Sequence, residues 1–267
     1  MKMITSPYVK HAARLAGALL LGATLGLSPA EAAGDGPHIK AQSWSFSGPF
    51  GTFDRSQIQR GYQVYKEVCS GCHGLRQLHF RNLGEAGGPE FSEAEVKALA
   101  AEAEVQDGPN EEGEMFDRPG KPSDTFVSPF PNENAARAAN NGAYPPDLSL
   151  MAKARVGGPD YIYALMVGYK DAPENMKMAD GMNYNDVFPG HQIAMAAPLS
   201  EEAVEYTDGT KPTLDNHAKD VSAFLMWAAE PKLEARHKLG FRFMIYLLLL
   251  SGLLYLAKRK VWSGLKH

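Results

Sequence analysis

The residues most able to do chemistry are two cysteines that stand close together and are followed by a histidine. They form the run Cys69-Ser70-Gly71-Cys72-His73. Two thiols at this spacing can make thioether bonds to the two vinyl groups on one edge of a porphyrin, and the next residue then places an imidazole under the iron. A histidine nitrogen is a strong axial ligand for haem iron. The motif therefore predicts one covalently bound haem c, with Cys69 and Cys72 as attachment points and His73 as an axial ligand.

Three other uses of this cysteine pair agree less well with the sequence. A structural zinc site needs four ligands, and the second pair is missing, so His79 could only add a loosely spaced third or fourth donor. A redox-active dithiol is typical of a thioredoxin-like pattern of strands and helices, which this chain lacks. A structural disulfide across so short a loop would stabilise the chain little.

The second axial ligand is open on local sequence alone. Met195 lies in the apolar run 193–199, where Pro198 would stiffen the loop. A thioether ligand favours ferrous iron and raises the reduction potential. His191 is four residues away and would instead give a low-potential haem with two histidine ligands. Most methionines in such a chain fill the core.

The amino-terminal residues predict a secretion signal. Basic residues precede an apolar run over 15–27, and Ala30-Glu31-Ala32 supplies small residues at the spacing of a cleavage site. We expect residues 1–33 to be removed, which places the mature chain outside the cytoplasm. The alternative is an uncleaved anchor helix, for which the apolar run is short.

Near the other end, the segment 239–258 is almost continuously apolar up to Ala257, and the basic run Lys258-Arg259-Lys260 begins at its last residue. This length and its basic stop predict a transmembrane helix rather than a buried helix of a soluble domain. With an exported amino terminus, a single span gives a periplasmic domain over 34–231, a connection over 232–238 and a cytoplasmic tail over 259–267. The predicted location is the bacterial inner (cell) membrane.

Helical patterns dominate the periplasmic part, and strand signals are sparse. Asp54 and Gln57 resemble a reciprocal helix cap before a helix that runs into Cys69. A second helix is predicted over residues 160–168. A third is predicted to have Asp215 as its cap and to be interrupted by Pro231, with an apolar stripe formed by Val221, Phe224, Leu225 and Ala228. The fold class expected is mainly α with long loops.

The charge distribution is more informative than the net charge. Residues 34–257 hold 30 acidic and 20 basic residues, a net charge of about −10. This excludes a nucleic-acid surface and favours either a cationic partner or solubility alone. Residues 85–124 carry twelve acids against three bases. In that insertion we expect a helix over residues 92–105 followed by a mobile loop, forming either a docking surface or a solvated face.

Several longer runs carry a resemblance to a known family. They are WSFSGPFG over 44–51, GYQVYKEVC over 61–69, AANNGAYPPDLS over 138–149 and DVSAFLMWAAEP over 220–231, followed by the apolar segment. With the haem motif, they make the chain resemble the cytochrome c1 family, the haem c subunit of the bacterial cytochrome bc1 (ubiquinol–cytochrome c reductase) complex. The resemblance covers essentially the whole chain and implies a class I cytochrome c-like haem domain.

The resemblance also implies roles for individual residues. Met195 matches the axial methionine. Asn140, Pro145 and Pro146 match a segment along the haem, while Arg155 and Tyr161 match residues near a haem propionate. Ala196-Ala197 departs from the pattern, because relatives often have proline there, and the chain lacks the extra cysteine pair of some bacterial relatives.

The implied function is electron transfer. One electron would come from a Rieske iron-sulfur protein and leave to a soluble cytochrome c, with cytochrome b and the lipid bilayer as further partners in a dimeric complex. No substrate-converting site is expected on this chain alone, and no nucleic acid. Two alternatives are an anchored cytochrome that feeds an oxidase directly and a haem sensor or haem-delivery protein.

Overall fold

The computed structural model describes residues 39–264, and the predicted signal segment 1–33 lies outside them. The domain up to residue 231 is mainly helical, as expected. Its helices are α1 Arg55–Val64, α2 Glu93–Ala101, α3 Glu133–Ala139, α4 Met151–Ala154, α5 Pro159–Val167 and α6 Leu214–Ala229, with 3-10 turns at Phe80–Gly84 and Pro189–His191. Two small antiparallel sheets pair β1 Glu104–Asp107 with β2 Phe116–Pro119, and β3 Asn183–Tyr184 with β4 Gln192–Ile193.

Helices α1 and α6 cross at the centre of the core. The crossing point is Gly61, where a Cβ atom would lie 2.0 Å from the backbone oxygen of Asp220. Around it, the rings of Tyr62 and Tyr65 each lie 5.7 Å from the ring of Phe224. The close approach of two backbones therefore requires glycine and is sealed by aromatic side chains.

The caps of these two helices are partly as predicted. The Asp54 carboxylate accepts a hydrogen bond from the Gln57 N–H at 3.1 Å, so Asp54 is the N-cap of α1. The N-cap of α6 is Thr213, whose hydroxyl accepts from the Asn216 N–H at 3.2 Å. The predicted cap Asp215 is instead in the first turn, where its negative charge favours the helix dipole. Helix α6 ends at Ala229, before Pro231.

The acidic insertion is more ordered than its composition predicted. Ser92 and Glu95 form a reciprocal capping box at the start of α2, which ends at Ala101 and not at 105. The segment expected to be a mobile loop holds the β1–β2 hairpin. Arg118 explains this order, because its guanidinium binds the carboxylates of both Asp107 and Asp124.

The apolar segment lies in helix α7, Leu233–Trp262, which has 30 residues. It is long and apolar enough to cross a membrane, and no other helix within residues 39–264 meets that criterion. At 1.5 Å per residue the helix is about 45 Å long. It is therefore several helical turns longer than the thickness of the hydrocarbon core of a bilayer.

The first turns of α7, which include most of the connection predicted over 232–238, are bound to the preceding domain. The Glu234 side chain is 8% exposed, and its carboxylate accepts from the two terminal guanidinium nitrogens of Arg55 at 2.7 and 2.9 Å and from the Phe53 N–H at 2.9 Å. Further along α7, the ring of Phe241 meets the ring of Phe50 edge to face, with centroids 5.6 Å apart. A carboxylate at the start of the helix thus fixes α7 to the domain.

Candidate haem site

The cysteine–histidine motif forms a tight turn at the end of α1. The helix continues through one π-helical turn, Tyr65–Cys69, and the Ser70 N–H donates to the Tyr65 carbonyl at 2.8 Å. The Cys69 carbonyl then accepts from the N–H groups of both Cys72 and His73, at 3.1 and 2.9 Å. The Tyr65 hydroxyl donates to the His73 carbonyl at 3.0 Å. These bonds hold the two predicted attachment residues and the predicted ligand in one compact turn.

His73 has the orientation and charge state that a metal-ligating imidazole needs. Its Nδ1 lies 2.7 Å from the Pro146 carbonyl oxygen, which can only accept, so the ring proton is assigned to Nδ1. The lone pair is then on Nε2, the arrangement that is usual for histidine ligands. Burial lowers the pKa of His73, against the opposite effects of the Pro146 hydrogen bond and the Asp147 charge, so the ring is neutral at pH 7.

The segment 144–149 is bound to the residues that follow the motif. The Leu148 N–H donates to the Gly74 carbonyl at 2.9 Å, and the Gln77 N–H donates to the Ser149 hydroxyl at 3.1 Å. Between them, the Arg76 N–H donates to the Asp147 carboxylate at 2.9 Å. These bonds join the residues that directly follow His73 to those that directly follow Pro146, and they therefore hold the Pro146 carbonyl against the imidazole.

Asp147 and Arg76 had no role assigned from sequence, although Asp147 belongs to the run that carried the resemblance. The Asp147 carboxylate also accepts from the Ser149 N–H at 3.0 Å, and the Arg76 guanidinium donates to the Tyr144 hydroxyl at 3.0 Å. An aspartate two residues before a serine is a signal for a side-chain-stabilised turn, and it could have pointed to Asp147.

The thiols do not have the character of a redox dithiol or a zinc site. Burial, with a smaller effect of Cys72, raises the pKa of the Cys69 thiol to about 12, whereas redox-active cysteines have a lowered pKa. Across residues 39–264, no three His, Cys, Asp or Glu side chains lie together in a group that could hold a metal ion. His79 is engaged elsewhere, with its Nδ1 2.9 Å from the Ser123 carbonyl oxygen.

The residues present suit a porphyrin. Two thiols stand on one turn beside a neutral imidazole whose free nitrogen can bind iron. The neighbouring segment exposes apolar side chains that a flat apolar group could cover: Tyr144 is 37%, Leu150 52% and Val156 94% exposed. A cavity of about 240 Å³ beside Cys72 is lined in part by Tyr144 and Pro145. Exposed apolar surface of this kind usually marks a ligand or partner site.

Met195 is half-buried in the loop that follows β4. Its backbone carbonyl accepts a hydrogen bond from the Tyr169 hydroxyl at 3.1 Å. The rival ligand His191 belongs to the turn before β4, where its φ is 59° and its ring stacks on Tyr184 with centroids 5.6 Å apart. The axial role of Met195 stays a prediction.

The remaining predicted residues lie in three different settings. The Asn140 side-chain amide donates to the Ala136 carbonyl at 2.7 Å and closes the end of α3. Arg155 is exposed, and within the described part of the chain the only hydrogen bond of its guanidinium goes to the Ala154 carbonyl at 3.3 Å, so its charge is free for another partner. Tyr161 is buried in the core on α5. Their roles beside a haem also stay predictions.

Comparison with known proteins agrees with this chemistry. A family model described as the Cytochrome C1 family matches residues 44–265. "Cytochrome c1" of Rhodospirillum rubrum is 46% identical over 254 residues, which cover 89% of this chain and 92% of that protein. "Cytochrome c1, heme protein, mitochondrial" of Saccharomyces cerevisiae is 49% identical over 236 residues, 88% of this chain and 75% of that protein.

A third relative is longer. "Cytochrome b/c1" of Bradyrhizobium diazoefficiens is 49% identical over 267 residues, and the match covers 93% of this chain but only 38% of that protein. The chain therefore spans well under half the length of this relative.

Proposed function

The chain belongs to the Cytochrome C1 family, and from this premise we propose that it is the electron-transfer subunit of a quinol–cytochrome c oxidoreductase. It carries one haem c, accepts one electron from a Rieske iron-sulfur protein, and passes it to a soluble cytochrome c. The observation that best supports this is the 2.7 Å contact between His73 Nδ1 and the Pro146 carbonyl, which leaves a neutral imidazole with its Nε2 lone pair free.

Each residue of the site has a defined task in this proposal. The bound haem supplies an iron that changes its charge by one electron. Cys69 and Cys72 would hold it covalently, and His73 and Met195 would supply the two ligands to its iron. The Pro146 carbonyl orients His73 and increases its basicity as a ligand.

Four further residues complete the haem environment. Asn140 and Pro145 lie along the haem. Arg155, whose charge has no carboxylate partner within 4.0 Å in residues 39–264, would pair with a propionate, beside Tyr161. No acid, base or nucleophile is needed, because no substrate bond changes on this chain.

The proposed setting is the bacterial inner membrane. The single span of α7 would leave the haem domain in the periplasm after removal of residues 1–33, with the tail 259–267 in the cytoplasm. The match to a protein named "Cytochrome b/c1" supports cytochrome b as a neighbour, and we propose a dimeric complex.

The axial assignment is tested by Met195→Leu in the full-length, haem-loaded protein. Ferric haem with a methionine ligand has a weak near-infrared absorption band, and the variant should lose it. Its reduction potential should also fall, because a thioether ligand favours the ferrous state. Met182→Leu is the control, since Met182 is 41% exposed and outside the site. An unchanged band and potential in Met195→Leu would show that another residue binds the iron.

The proposed complex is tested by purification. An affinity-tagged chain, extracted in mild detergent, should carry a dihaem cytochrome b and a Rieske protein with it, and quinol should reduce its haem. A chain that purifies alone or with an oxidase would contradict the proposal and favour a different anchored carrier.

A further inference from the structure

We propose that Tyr169 is a positioning residue that holds the Met195 loop in place. The inference rests on the proposed role of Met195 as an axial ligand. Its basis is the hydrogen bond from the Tyr169 hydroxyl to the Met195 backbone carbonyl at 3.1 Å, which joins residues 26 positions apart.

The loop that carries Met195 is secured at its two ends and has little support between them. Ile193 and Leu199 are 7% and 6% exposed and anchor the ends in the protein interior. Ala194, Ala196 and Ala197 between them are exposed. Within residues 39–264, the Tyr169 bond is the only hydrogen bond that reaches residues 194–198. The position of Met195 therefore depends on one hydroxyl group.

Tyr169 itself stands on a rigid base. Its backbone pairs with that of Asn185, a residue with no exposed surface, as an isolated antiparallel bridge. The Asn185 side-chain amide donates to the Leu165 carbonyl of α5 at 2.9 Å, and its side-chain oxygen accepts from the N–H groups of Val187 and Phe188 at 2.9 and 3.1 Å. The buried Asn185 side chain thus joins α5 to the connection between β3 and β4.

A second backbone bond ties the same two segments together. The Asp186 N–H donates to the Gly168 carbonyl at 2.9 Å, next to Tyr169. The Tyr169 ring is half-buried, and its hydroxyl donates to the Met195 carbonyl. A rigid donor facing a weakly supported loop is the arrangement expected of a residue that sets the position of a ligand.

Removal of this hydroxyl should let the Met195 side chain leave the iron more often. An added ligand that competes for the same coordination position then binds more tightly, because less free energy is needed to open it. Cyanide binding to the ferric protein measures that opening directly and does not depend on electron-transfer activity.

The variant is Tyr169→Phe, which keeps the ring and removes one oxygen. Its control is Tyr163→Phe, because the Tyr163 hydroxyl also makes one hydrogen bond, to the Asp215 carboxylate at 2.7 Å, and lies on α5 away from the loop. In the full-length, haem-loaded ferric protein we expect Tyr169→Phe to bind cyanide roughly threefold to tenfold more tightly than the parent. This factor corresponds to the net free energy that one hydrogen bond usually contributes. Tyr163→Phe should leave the affinity unchanged.

Measurements in the Met195→Leu variant separate the proposed role of Tyr169 from the proposed role of Met195 as a ligand. Met195→Leu should bind cyanide tightly, and Tyr169→Phe should add nothing to it, since the tyrosine acts only through Met195. If Met195→Leu does not raise the affinity, the axial assignment fails and the inference fails with it. If Met195→Leu raises it but Tyr169→Phe matches the parent, the inference alone is overturned. Equal effects of Tyr169→Phe in both backgrounds would show general loosening and also overturn it.

Discussion

At the scale of single residues, the orientation of the His73 ring depends on a backbone carbonyl and not on another side chain. The Pro146 oxygen that orients His73 is 73 positions away in sequence. Pro145 and Pro146 both have a fixed φ, and a proline also restricts the residue before it, so this carbonyl is held with little loss of conformational entropy on folding. A ligand is thus oriented by a segment that is stiff before the protein folds.

Asp147 is the residue that secures this segment, and its loss should be measurable. Asp147→Asn removes the charge that binds the Arg76 N–H and guanidinium, at 2.9 and 3.3 Å. We expect a loss of about 1–2 kcal/mol in the free energy of unfolding of the haem-loaded protein at pH 7, measured with denaturant. The control is Asp171→Asn, an exposed aspartate without an ion pair in residues 39–264.

The same variant should change how stability depends on pH. Burial alone would raise the pKa of Asp147, but hydrogen bonds from Arg76 and Ser149 lower it below its usual value. A carboxylate with a depressed pKa contributes fully above its unfolded pKa and loses its contribution as the pH falls through the folded pKa. Between about pH 5 and pH 2, Asp147→Asn should therefore lose less stability than the parent. If the free energy of unfolding fell equally with pH in Asp147→Asn and in the parent, the proposed role of the Asp147 charge would be contradicted.

Residue-level prediction was possible where the chemistry is contiguous. Five consecutive residues carry the haem motif, so it could be identified without knowledge of the fold. The Pro146 contact and the Arg76–Asp147 pair join segments about seventy residues apart, and a backbone acceptor has no side-chain signature. Only the structure brings them together.

At the scale of secondary-structure elements, the crossing of α1 and α6 sets the position of the motif, because Cys69 follows directly on α1. Gly61→Ala should be strongly destabilising, since the added Cβ would lie 2.0 Å from the Asp220 carbonyl oxygen and 2.6 Å from the Phe224 Cβ. We expect a loss of about 2 kcal/mol or more by denaturant unfolding, larger than the gain of about 1 kcal/mol from helix propensity.

The matched control is Gly71→Ala, within the haem motif itself. A Cβ there would meet no atom within 4 Å. Its unfolding free energy should stay within about 0.5 kcal/mol of the parent. If both alanine variants were equally stable, the tight crossing of the helices would be wrong.

The elements themselves were predicted unevenly. Helical periodicity with an aspartate cap was sufficient for α1, and the apolar stripe of α6 was correct although its cap is Thr213. The β1–β2 hairpin was missed because its strands contain only one β-branched residue, Val105, and several acids. Its order comes from Arg118, which neutralises two carboxylates that composition alone counts as repulsive.

At the scale of the whole molecule, the acidic surface is concentrated. Within residues 39–264, most acids of the insertion 85–124 have an ion-pair or capping partner, including Asp107 of the hairpin, which pairs with Arg118. The other hairpin acids are exposed and make no ion pair in the described residues: Glu104, Glu111, Glu112, Glu114 and Asp117. We expect this hairpin to speed the approach of a basic soluble cytochrome c, as uncompensated charge does for an oppositely charged partner.

This expectation is tested by neutralising three hairpin acids together. Glu111→Gln, Glu112→Gln and Glu114→Gln should slow the second-order reduction of a basic cytochrome c roughly threefold to tenfold at low ionic strength. The difference should shrink as salt is added, because exposed charges are screened beyond about 10 Å at 0.1 M. Stopped-flow kinetics across a salt series gives both results.

The control removes the same charge elsewhere. Asp171→Asn, Glu174→Gln and Asp180→Asn change three exposed acids that have no ion pair in the described residues. A rate that falls equally in both triple variants would reflect net charge alone. A rate that falls only in the control would place the docking face away from the hairpin.

The central claim is that a haem is bound covalently to the two cysteines. Trypsin cleavage after Lys66 and Arg76 releases residues 67–76, a peptide that contains the whole motif. Mass spectrometry of that peptide from the processed protein should show the added mass of one haem, and the Cys69→Ala/Cys72→Ala variant should not. A peptide from the parent protein with free thiols, or with only a disulfide between Cys69 and Cys72, would contradict the haem site and the electron-transfer function that depends on it.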